Sequence, residues 1–257
     1  PLYVPAMDSL LAEKQLRFPF GLASGDPKEN QVVLWTRLWH PSAETLTLRF
    51  QVALDSNFKD ITSTGPLVAE RKNFYNVKLL ASDLMPGTTY YYRFCTEDAC
   101  SPIGRTRTAS SNTDSLSFAV ASCSNFEWGY FNAYRLIAKE KNLQAVIHLG
   151  DYIYEYGVGK YGDEKLPRKH IPSYEIVTRA DYESRYAQYR LDADLQEAHR
   201  MHPFITVWDD HEIANDAHLS GAQNHQPETE GSWEVRKEVA KKVYFSWLPI
   251  EEGTQGG

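Results

Sequence analysis

The first part of the chain, residues 18–108, contains short segments in which apolar, β-branched and aromatic residues are concentrated. In one of them, Leu46-Thr47-Leu48-Arg49-Phe50, apolar and polar residues alternate, as they do in a strand with one buried face. Turn sequences such as Met85-Pro86-Gly87 separate the segments. Short strands at regular spacing predict an antiparallel β-sandwich of the immunoglobulin or fibronectin III type. The predicted strands are residues 32–38, 46–54, 74–80 and 89–94.

A different pattern begins after residues 109–115, which are polar and which we interpret as a linker. Beyond it, apolar runs alternate with stretches in which apolar residues recur at helical spacing. This alternation predicts a layered α/β domain at residues 116–257, while residues 1–17 form a lead segment before the sandwich. The predicted strands are residues 116–123, 145–149 and 204–208, and the predicted helices are about 130–141, 179–202 and 233–247.

Composition narrows the class of protein. Of the 257 residues, 42% are hydrophobic, which is typical of a folded globular protein. The formal net charge of −7 argues against a broad nucleic-acid-binding surface. No apolar run approaches the roughly 20 residues that cross a bilayer, so the sequence predicts no transmembrane segment.

The three cysteines give information on the cellular compartment of the protein. Cys95 and Cys100 flank a turn-like segment and could form a disulfide across a hairpin, which would indicate an oxidising compartment. The alternative is two free thiols in a cytosolic protein. In either case Cys123 has no partner. The chain opens on Pro1 without a signal peptide, and we interpret this start as a mature terminus.

Polar or reactive side chains follow each predicted strand of the α/β domain. Cys123 ends the first strand, Asp151 and Tyr154 follow the second, and the run Asp209-Asp210-His211-Glu212 follows the third. Because loops at the carboxyl ends of neighbouring strands converge, these side chains are expected to lie together. Thiolate, phenolate, carboxylate and imidazole groups are metal ligands, so a metal site is the leading interpretation.

Each residue also has a purely structural interpretation. Cys123 could be a small buried apolar residue, and Asp151 could cap a following helix. Tyr154, three residues after Asp151, would share a helical face with it and reach the same ion, or else be a packed aromatic. His148 is expected to be a hydrogen-bonded core histidine. The charged run at 209–212 directly follows a buried strand, where it needs solvent, partners or a metal.

These motifs resemble those of a known superfamily. Gly150-Asp151-x-x-Tyr154 resembles the second metal motif of the calcineurin-like phosphoesterases, in the form seen in purple acid phosphatases. Asp210-His211-Glu212 takes the place of their Asn-His-Asp/Glu, and Cys123 falls where they usually have a first aspartate. That cysteine, with the motifs at 150–155 and 208–212, is similar to the PhoD-like family of alkaline phosphatases and phosphodiesterases. The resemblance extends from residue 18 to about 249.

The resemblance implies a centre of Fe³⁺ and Ca²⁺. Cys123, Asp151 and Tyr154 would bind the iron, Asp151 would bridge to the calcium, and Asp210 would bind the calcium. His211 would face the substrate as the catalytic residue. Further metal or substrate contacts could come from residues nearby in the sequence, namely Asp209, Asn215 and Asp216.

The implied function is that of an exported phosphoesterase, periplasmic or secreted through twin-arginine-type export. It would hydrolyse phosphate mono- or diesters with a metal-activated water or hydroxide as the nucleophile. One alternative is phospholipase D-like cleavage of phospholipid head groups. Another, of a different class, is a non-catalytic cell-surface module that uses the sandwich for binding.

The sequence departs from the family in one respect. PhoD-like proteins carry a later strand that ends in a Gly-Asp-Val-His-like motif, and no such motif follows His211 here. We therefore expect an incomplete metallophosphoesterase domain, a polypeptide that by itself is a poor enzyme, and an uncovered apolar edge or face of the sheet.

Overall fold

The structure is a computed structural model that describes residues 2–251; the remaining residues, 1 and 252–257, include the end of the predicted α/β domain and lie outside the described part. None of the helices in residues 2–251 is long and apolar enough to cross a membrane. The strands are β1 (Leu22–Gly25), β2 (Val32–Arg37), β3 (Thr45–Ala53), β4 (Ile61–Glu70), β5 (Asn76–Ala81), β6 (Thr89–Cys95), β7 (Gly104–Arg107), β8 (Phe118–Ala121), β9 (Ala145–His148) and β10 (Pro203–Thr206). The helices are α1 (Pro5–Lys14), α2 (Asn132–Lys139), α3 (Arg179–Arg190), α4 (Ala193–Met201), α5 (Pro227–Glu230) and α6 (Trp233–Trp247).

The strands form two sheets, with orders β5-β2-β1-β10-β9-β8 and β4-β3-β6-β7. In the first sheet β8, β9, β10 and β1 pair in parallel, whereas β2 is antiparallel to both β1 and β5. β1 meets β10 with Ser24 opposite Pro203 and Gly25 opposite Phe204. The first sheet therefore joins strands from both sides of residues 109–115. The prediction of a mixed α/β fold is confirmed, and the predicted linker does not separate one sheet from the other.

A first core lies between the two sheets. It combines Leu34 of the first sheet with Val52, Tyr92 and Phe94 of the second, all fully or almost fully buried. The sheets approach closely at Gly104, where an added Cβ would lie 2.5 Å from side-chain atoms of Leu22 and Tyr92. Only glycine fits there without displacing a side chain.

A second core lies where the helices cover the first sheet. Val146 of β9 and Phe204 of β10 are buried in it together with Tyr186 of α3 and Trp247 of α6. This core also contains a buried ion pair between the Arg37 guanidinium and the Glu183 carboxylate. The guanidinium lies 3.9 Å from the centroid of the Trp247 ring, which belongs to the same core. Helix α1 also packs here through Met7, so the lead segment is part of this core.

The sequence predicted most strands but missed three. The predicted strands at 32–38, 46–54 and 89–94 correspond to β2, β3 and β6 within one or two residues, and 74–80 corresponds to β5. β1, β4 and β7 were missed. β4 contains Gly65 and Pro66, which weaken a strand pattern; proline is tolerated because β4 is an edge strand of its sheet.

The helical region predicted at 179–202 consists of two helices, α3 and α4. α3 begins at a capping box in which the Thr178 hydroxyl accepts from the Asp181 N–H, and it ends at Arg190. Asp192 then caps α4, where its carboxylate accepts the N–H groups of Asp194 and Leu195. Asp at such a position favours the start of a new helix over continuation of the old one.

Cys95 and Cys100 are joined in a disulfide, and their Cα atoms are 4.0 Å apart. The bridge closes the turn that follows β6. Cys123 is a free, exposed cysteine, so its interpretation as a small buried apolar residue is wrong.

One face of the parallel strands is apolar and open. Val120, Ile147 and Ile205 lie side by side in register on β8, β9 and β10. Val120 is 62% exposed and Ile205 is 40% exposed. On the opposite face the neighbouring Val146 and Phe204 are buried beneath the helices. The expectation of an uncovered apolar face is confirmed for the described residues.

Candidate metal centre

The loops that follow β8 and β9 are joined by backbone hydrogen bonds. The Cys123 N–H donates to the carbonyl of Gly150 over 3.1 Å, and the Ser124 N–H donates to that of Asp151 over 2.8 Å. Cys123 and Asp151 both have left-handed backbone conformations, with φ of 55° and 54°. This conformation is uncommon for residues other than glycine, and such positions are enriched at functional sites.

Three ligand-type side chains meet where these loops approach the loop after β10. One ligand atom from each of Asp151, Asp210 and His211 lies within 4.8 Å of the other two. Asp151 and His211 are buried, and Asp210 is partly exposed. The expected meeting of strand ends thus occurs for these three residues.

The Asp151 carboxylate shows what this cluster is suited to hold. Its Oδ2 accepts a hydrogen bond from the Tyr154 hydroxyl over 3.1 Å. Its Oδ1 is buried and has no hydrogen-bond partner among the described residues. Burial raises the pKa of Asp151, although the nearby His211 opposes the rise. A buried carboxylate oxygen without a partner is unfavourable, and a cation bound there would satisfy it. The donor set therefore fits a metal ion.

The Tyr154 hydroxyl contacts the Asp151 carboxylate through a different backbone conformation from the one expected. Residues 151–154 are not helical, so the prediction that Asp151 and Tyr154 share a helical face is wrong. The left-handed turn at Asp151 brings the phenol to the carboxylate instead. Burial first, then the neighbouring Asp151 and Cys123, raises the pKa of Tyr154. Cys123, Asp151 and Tyr154 are therefore electrostatic neighbours. The alternative role of Asp151 as a helix cap is also wrong, since no helix follows it before α3.

Glu212 ties the β9 and β10 loops together. Its buried carboxylate accepts the N–H groups of Asp151, over 3.1 Å, and Asp209, over 2.8 Å, as well as that of Tyr152. Burial raises the pKa of Glu212 to about 8. The loops touch at Gly150, where an added Cβ would lie 2.4 Å from the Asp209 nitrogen. The charged run after β10 thus supplies both a ligand-type carboxylate and the group that positions the loops.

Glu155, which was not among the predicted site residues, holds His211. The Nδ1 of His211 lies 2.7 Å from Oε2 of buried Glu155, which also accepts hydrogen bonds from the Asn215 N–H, over 2.7 Å, and the Asn224 side chain, over 3.0 Å. Burial favours a neutral imidazole, but the hydrogen bond to Glu155 and its charge outweigh burial and raise the pKa of His211. Glu155 is the last residue of the motif at 150–155, and its place in that motif was the signal by which the sequence could have identified it.

The remaining residues named from the sequence lie around this group. Asp209 accepts the Asp210 N–H through Oδ1 over 3.0 Å. The backbone N–H of Asp216 donates to Oδ2 of Asp210 over 2.5 Å, so this contact does not involve the Asp216 carboxylate. The Asn215 amide donates to Asp216 Oδ2 over 3.2 Å. His148 is a buried core histidine, as expected, with Nε2 2.9 Å from the Tyr134 hydroxyl.

The chain is similar to known proteins over most of its length. The family model for the N-terminal domain of PhoD-like phosphatases matches residues 6–110, and the model for the PhoD-like phosphatase itself matches residues 118–257. Alkaline phosphatase D of Bacillus subtilis (strain 168) is 39% identical over 246 residues, which are 91% of this chain and 41% of that protein. A solved structure described as "Structure of PhoD" superposes with a TM-score of 0.83 at 37% identity, covering 92% of this chain and 47% of the other. The chain thus spans less than half the length of these relatives, and it belongs to the PhoD-like phosphatase family.

Proposed function

We propose that the protein is a metal-dependent phosphoesterase that hydrolyses phosphate monoesters or diesters. The observation that carries this proposal is the meeting of Asp151, Asp210 and His211 at converging strand ends, in a chain of the PhoD-like phosphatase family. A buried carboxylate oxygen without a hydrogen-bond partner, a second carboxylate and an imidazole at one point are suited to hold cations and an anionic substrate together.

We further propose which residues would hold the metals. Cys123, Asp151 and Tyr154 would bind Fe³⁺, because thiolate and phenolate groups suit a transition metal. Asp151 would also bind Ca²⁺ and so bridge the two ions, and Asp210 would be a second carboxylate ligand of Ca²⁺. When bound, a pair of cations lowers the charge on the phosphoryl oxygens and activates water. The unpartnered Oδ1 of Asp151 supports the assignment of this residue as the bridge.

The chain's own residues then act on the substrate. Glu155 holds the Nδ1–H of His211 and so fixes the plane of the imidazole. The other ring nitrogen is left to carry a proton toward a phosphoryl oxygen or the leaving-group oxygen. Glu212 and Gly150 keep the β9 and β10 loops at the separation this arrangement needs.

The proposed domain organisation is a β-sandwich at 18–108, a linker at 109–115 and a metallophosphoesterase domain at 116–257. Two observations support it: the apolar core between the two sheets, and the interval between the two matching family models, which end at 110 and begin at 118. β1 of the first part pairs with β10 of the second part, so one sheet contains strands from both parts of the chain.

We propose that the protein is exported. The disulfide between Cys95 and Cys100 supports an oxidising compartment, because cytosolic thiols are kept reduced.

Turnover of three substrates tests the function. The full-length protein, supplied with Fe³⁺ and Ca²⁺, should hydrolyse p-nitrophenyl phosphate or bis(p-nitrophenyl) phosphate, and the ratio of the two rates assigns the monoester or diester preference. Phosphatidylcholine tests the phospholipase alternative. Asp151→Asn should remove both bound metals and activity. A protein that retains no metal and cleaves none of the three substrates would leave the non-catalytic surface module as the better explanation.

A further inference from the structure

A cavity of about 540 Å³ adjoins the metal cluster. We call it the Trp208 cavity, after a lining residue that lies two positions beyond the end of β10. Asp210 belongs both to the wall of this cavity and to the cluster with Asp151 and His211. A phosphate ester whose phosphorus sits at the cluster would therefore have this cavity beside it.

One wall of the Trp208 cavity is a single face of helix α6. Trp233, Lys237 and Lys241 line the cavity, and their spacing of four residues places them on the same side of the helix. Leu219 also lines the cavity, and its carbonyl accepts hydrogen bonds from the Trp233 indole, over 3.3 Å, and the Lys237 ammonium, over 3.5 Å. These bonds hold the loop against the helix, so the cavity has defined walls.

Four charged side chains line the cavity: Lys237 and Lys241 on α6, and Asp209 and Asp210 on the side of the metal cluster. Lys237 pairs with Glu234 over 2.7 Å and Lys241 with Glu238 over 3.6 Å. Both glutamates are exposed, with 65% and 54% of their side-chain surface open, so solvent weakens these pairs. The lysine side chains are less open, at 21% and 33%. Both ammonium groups can therefore exchange a surface glutamate for an anion inside the cavity.

Apolar contact surface lies beside these charges. Trp208 is 40% exposed and Leu219 is 87% exposed, and the Lys241 ammonium lies 5.9 Å from the Trp208 ring centroid. An aromatic surface next to two cations suits a ligand that has a flat or apolar body and an anionic group at its far end.

We propose that the Trp208 cavity binds the leaving group of the ester and selects leaving groups that combine an apolar body with a second anionic group. This inference rests on the proposed phosphoesterase function and names the substrate class of the same site. Asp210 would sit at the boundary between the phosphoryl group and the leaving group, while Lys237 and Lys241 would contact the second anion.

Two isosteric substrates test this. 4-Carboxyphenyl phosphate has an anionic leaving group, and 4-carbamoylphenyl phosphate has a neutral one of nearly the same shape. The full-length, metal-loaded protein should prefer the carboxylate by about tenfold in kcat/KM, the size of a charge-assisted contact. In Lys237→Gln/Lys241→Gln that ratio should fall to near one, and in Lys237→Arg/Lys241→Arg it should largely return.

Lys242→Gln is the matched control, because Lys242 is an exposed residue of the same helix that does not line the cavity. It removes the same charge and should leave the ratio unchanged. Binding of the product 4-hydroxybenzoate, compared with 4-hydroxybenzamide by isothermal titration calorimetry, should show the same dependence on the lysines. This binding measurement does not require turnover.

The outcomes separate the two proposals. An unchanged ratio in Lys237→Gln/Lys241→Gln, or an equal change in Lys242→Gln, overturns the assignment of the cavity while leaving the phosphoesterase function intact. Lack of turnover of every ester by the unaltered protein counts against the proposed function itself; the calorimetric comparison then decides whether the cavity still prefers the anionic compound.

Discussion

The Nδ1 atom of His211 lies 2.7 Å from Oε2 of Glu155, and the glutamate is completely buried. A buried carboxylate that accepts a ring N–H fixes both the tautomer and the orientation of a histidine. We therefore expect Glu155 to act through His211 as a positioning residue.

Replacing His211 by alanine should lower kcat by about 10²-fold or more, the usual contribution of a general acid or base, with the metal content unchanged. Glu155→Gln should lower kcat by about 10- to 100-fold, as losses of such supporting groups typically do. In the double variant the Glu155 substitution should cost almost nothing beyond His211→Ala, because a positioning residue has no effect once the group it positions is gone. Additive losses would show that Glu155 acts independently of His211.

Tyr154→Phe tests the proposed iron ligands. A phenolate bound to Fe³⁺ gives a visible charge-transfer band, so the metal-loaded full-length protein should be coloured and the variant should lose or shift the band. Tyr152→Phe is the control, since the Tyr152 hydroxyl is directed to His199, 2.9 Å away, and not to Asp151. A colourless, active protein with full metal occupancy would contradict the assignment of Tyr154.

The 257-residue chain by itself should be a poor enzyme with little bound iron. Cys123, Asp151, Tyr154 and Asp210 supply fewer donors than two ions of about five or six ligands each require. Iron stoichiometry and phosphatase activity of this chain, measured beside those of the full-length protein, test the count. Two tightly held metals and full activity in the 257-residue chain would show that these residues suffice.

The open face of the parallel strands should bind hydrophobic dye and promote association of this chain. Val120→Lys should reduce dye fluorescence and association while changing the free energy of unfolding by no more than about 0.5 kcal/mol, as surface substitutions usually do. Val146→Lys introduces the same charge on the covered face of the same sheet, where it is buried without a partner and should unfold the chain. Equal effects of the two substitutions would mean that both faces are covered in solution.

Acid should destabilise the fold through buried neutral histidines. Burial lowers the pKa of His148 to about 4 and that of His170 to about 2, and it places the pKa of His199 well below its usual value. The unfolded chain binds these protons near pH 6.5, whereas the folded chain does not, so stability is full above that pH and is lost as the pH falls.

Each of these histidines should remove up to about 1.4 kcal/mol of unfolding free energy per pH unit between pH 6 and 4. Urea unfolding followed by circular dichroism measures the slope. His170→Gln should make the slope shallower, while the same change at the exposed His218 should not. A slope that His170→Gln does not alter would mean that this imidazole is protonated in the folded protein.

Residues close together in sequence determined much of this protein. Alternation of apolar and polar residues is a local property, and it was enough to locate β2, β3 and β6 and the full length of α6. Ligand-type residues directly after apolar runs predicted that Asp151, Asp210 and His211 would meet, because the carboxyl ends of neighbouring parallel strands lie together.

The tertiary structure decided whatever depends on residues far apart in sequence. The pairing of β1 with β10, which joins the two parts of the chain in one sheet, links residues about 180 positions apart and leaves no local pattern. Glu155 contacts His211 across 56 positions, and the role of Glu212 depends on loops that meet only after folding. Tyr154 reaches Asp151 because a left-handed turn, imposed by the surrounding loops, replaces the helix that their spacing suggested. Such contacts arise from packing of separate elements, so local sequence patterns do not encode them.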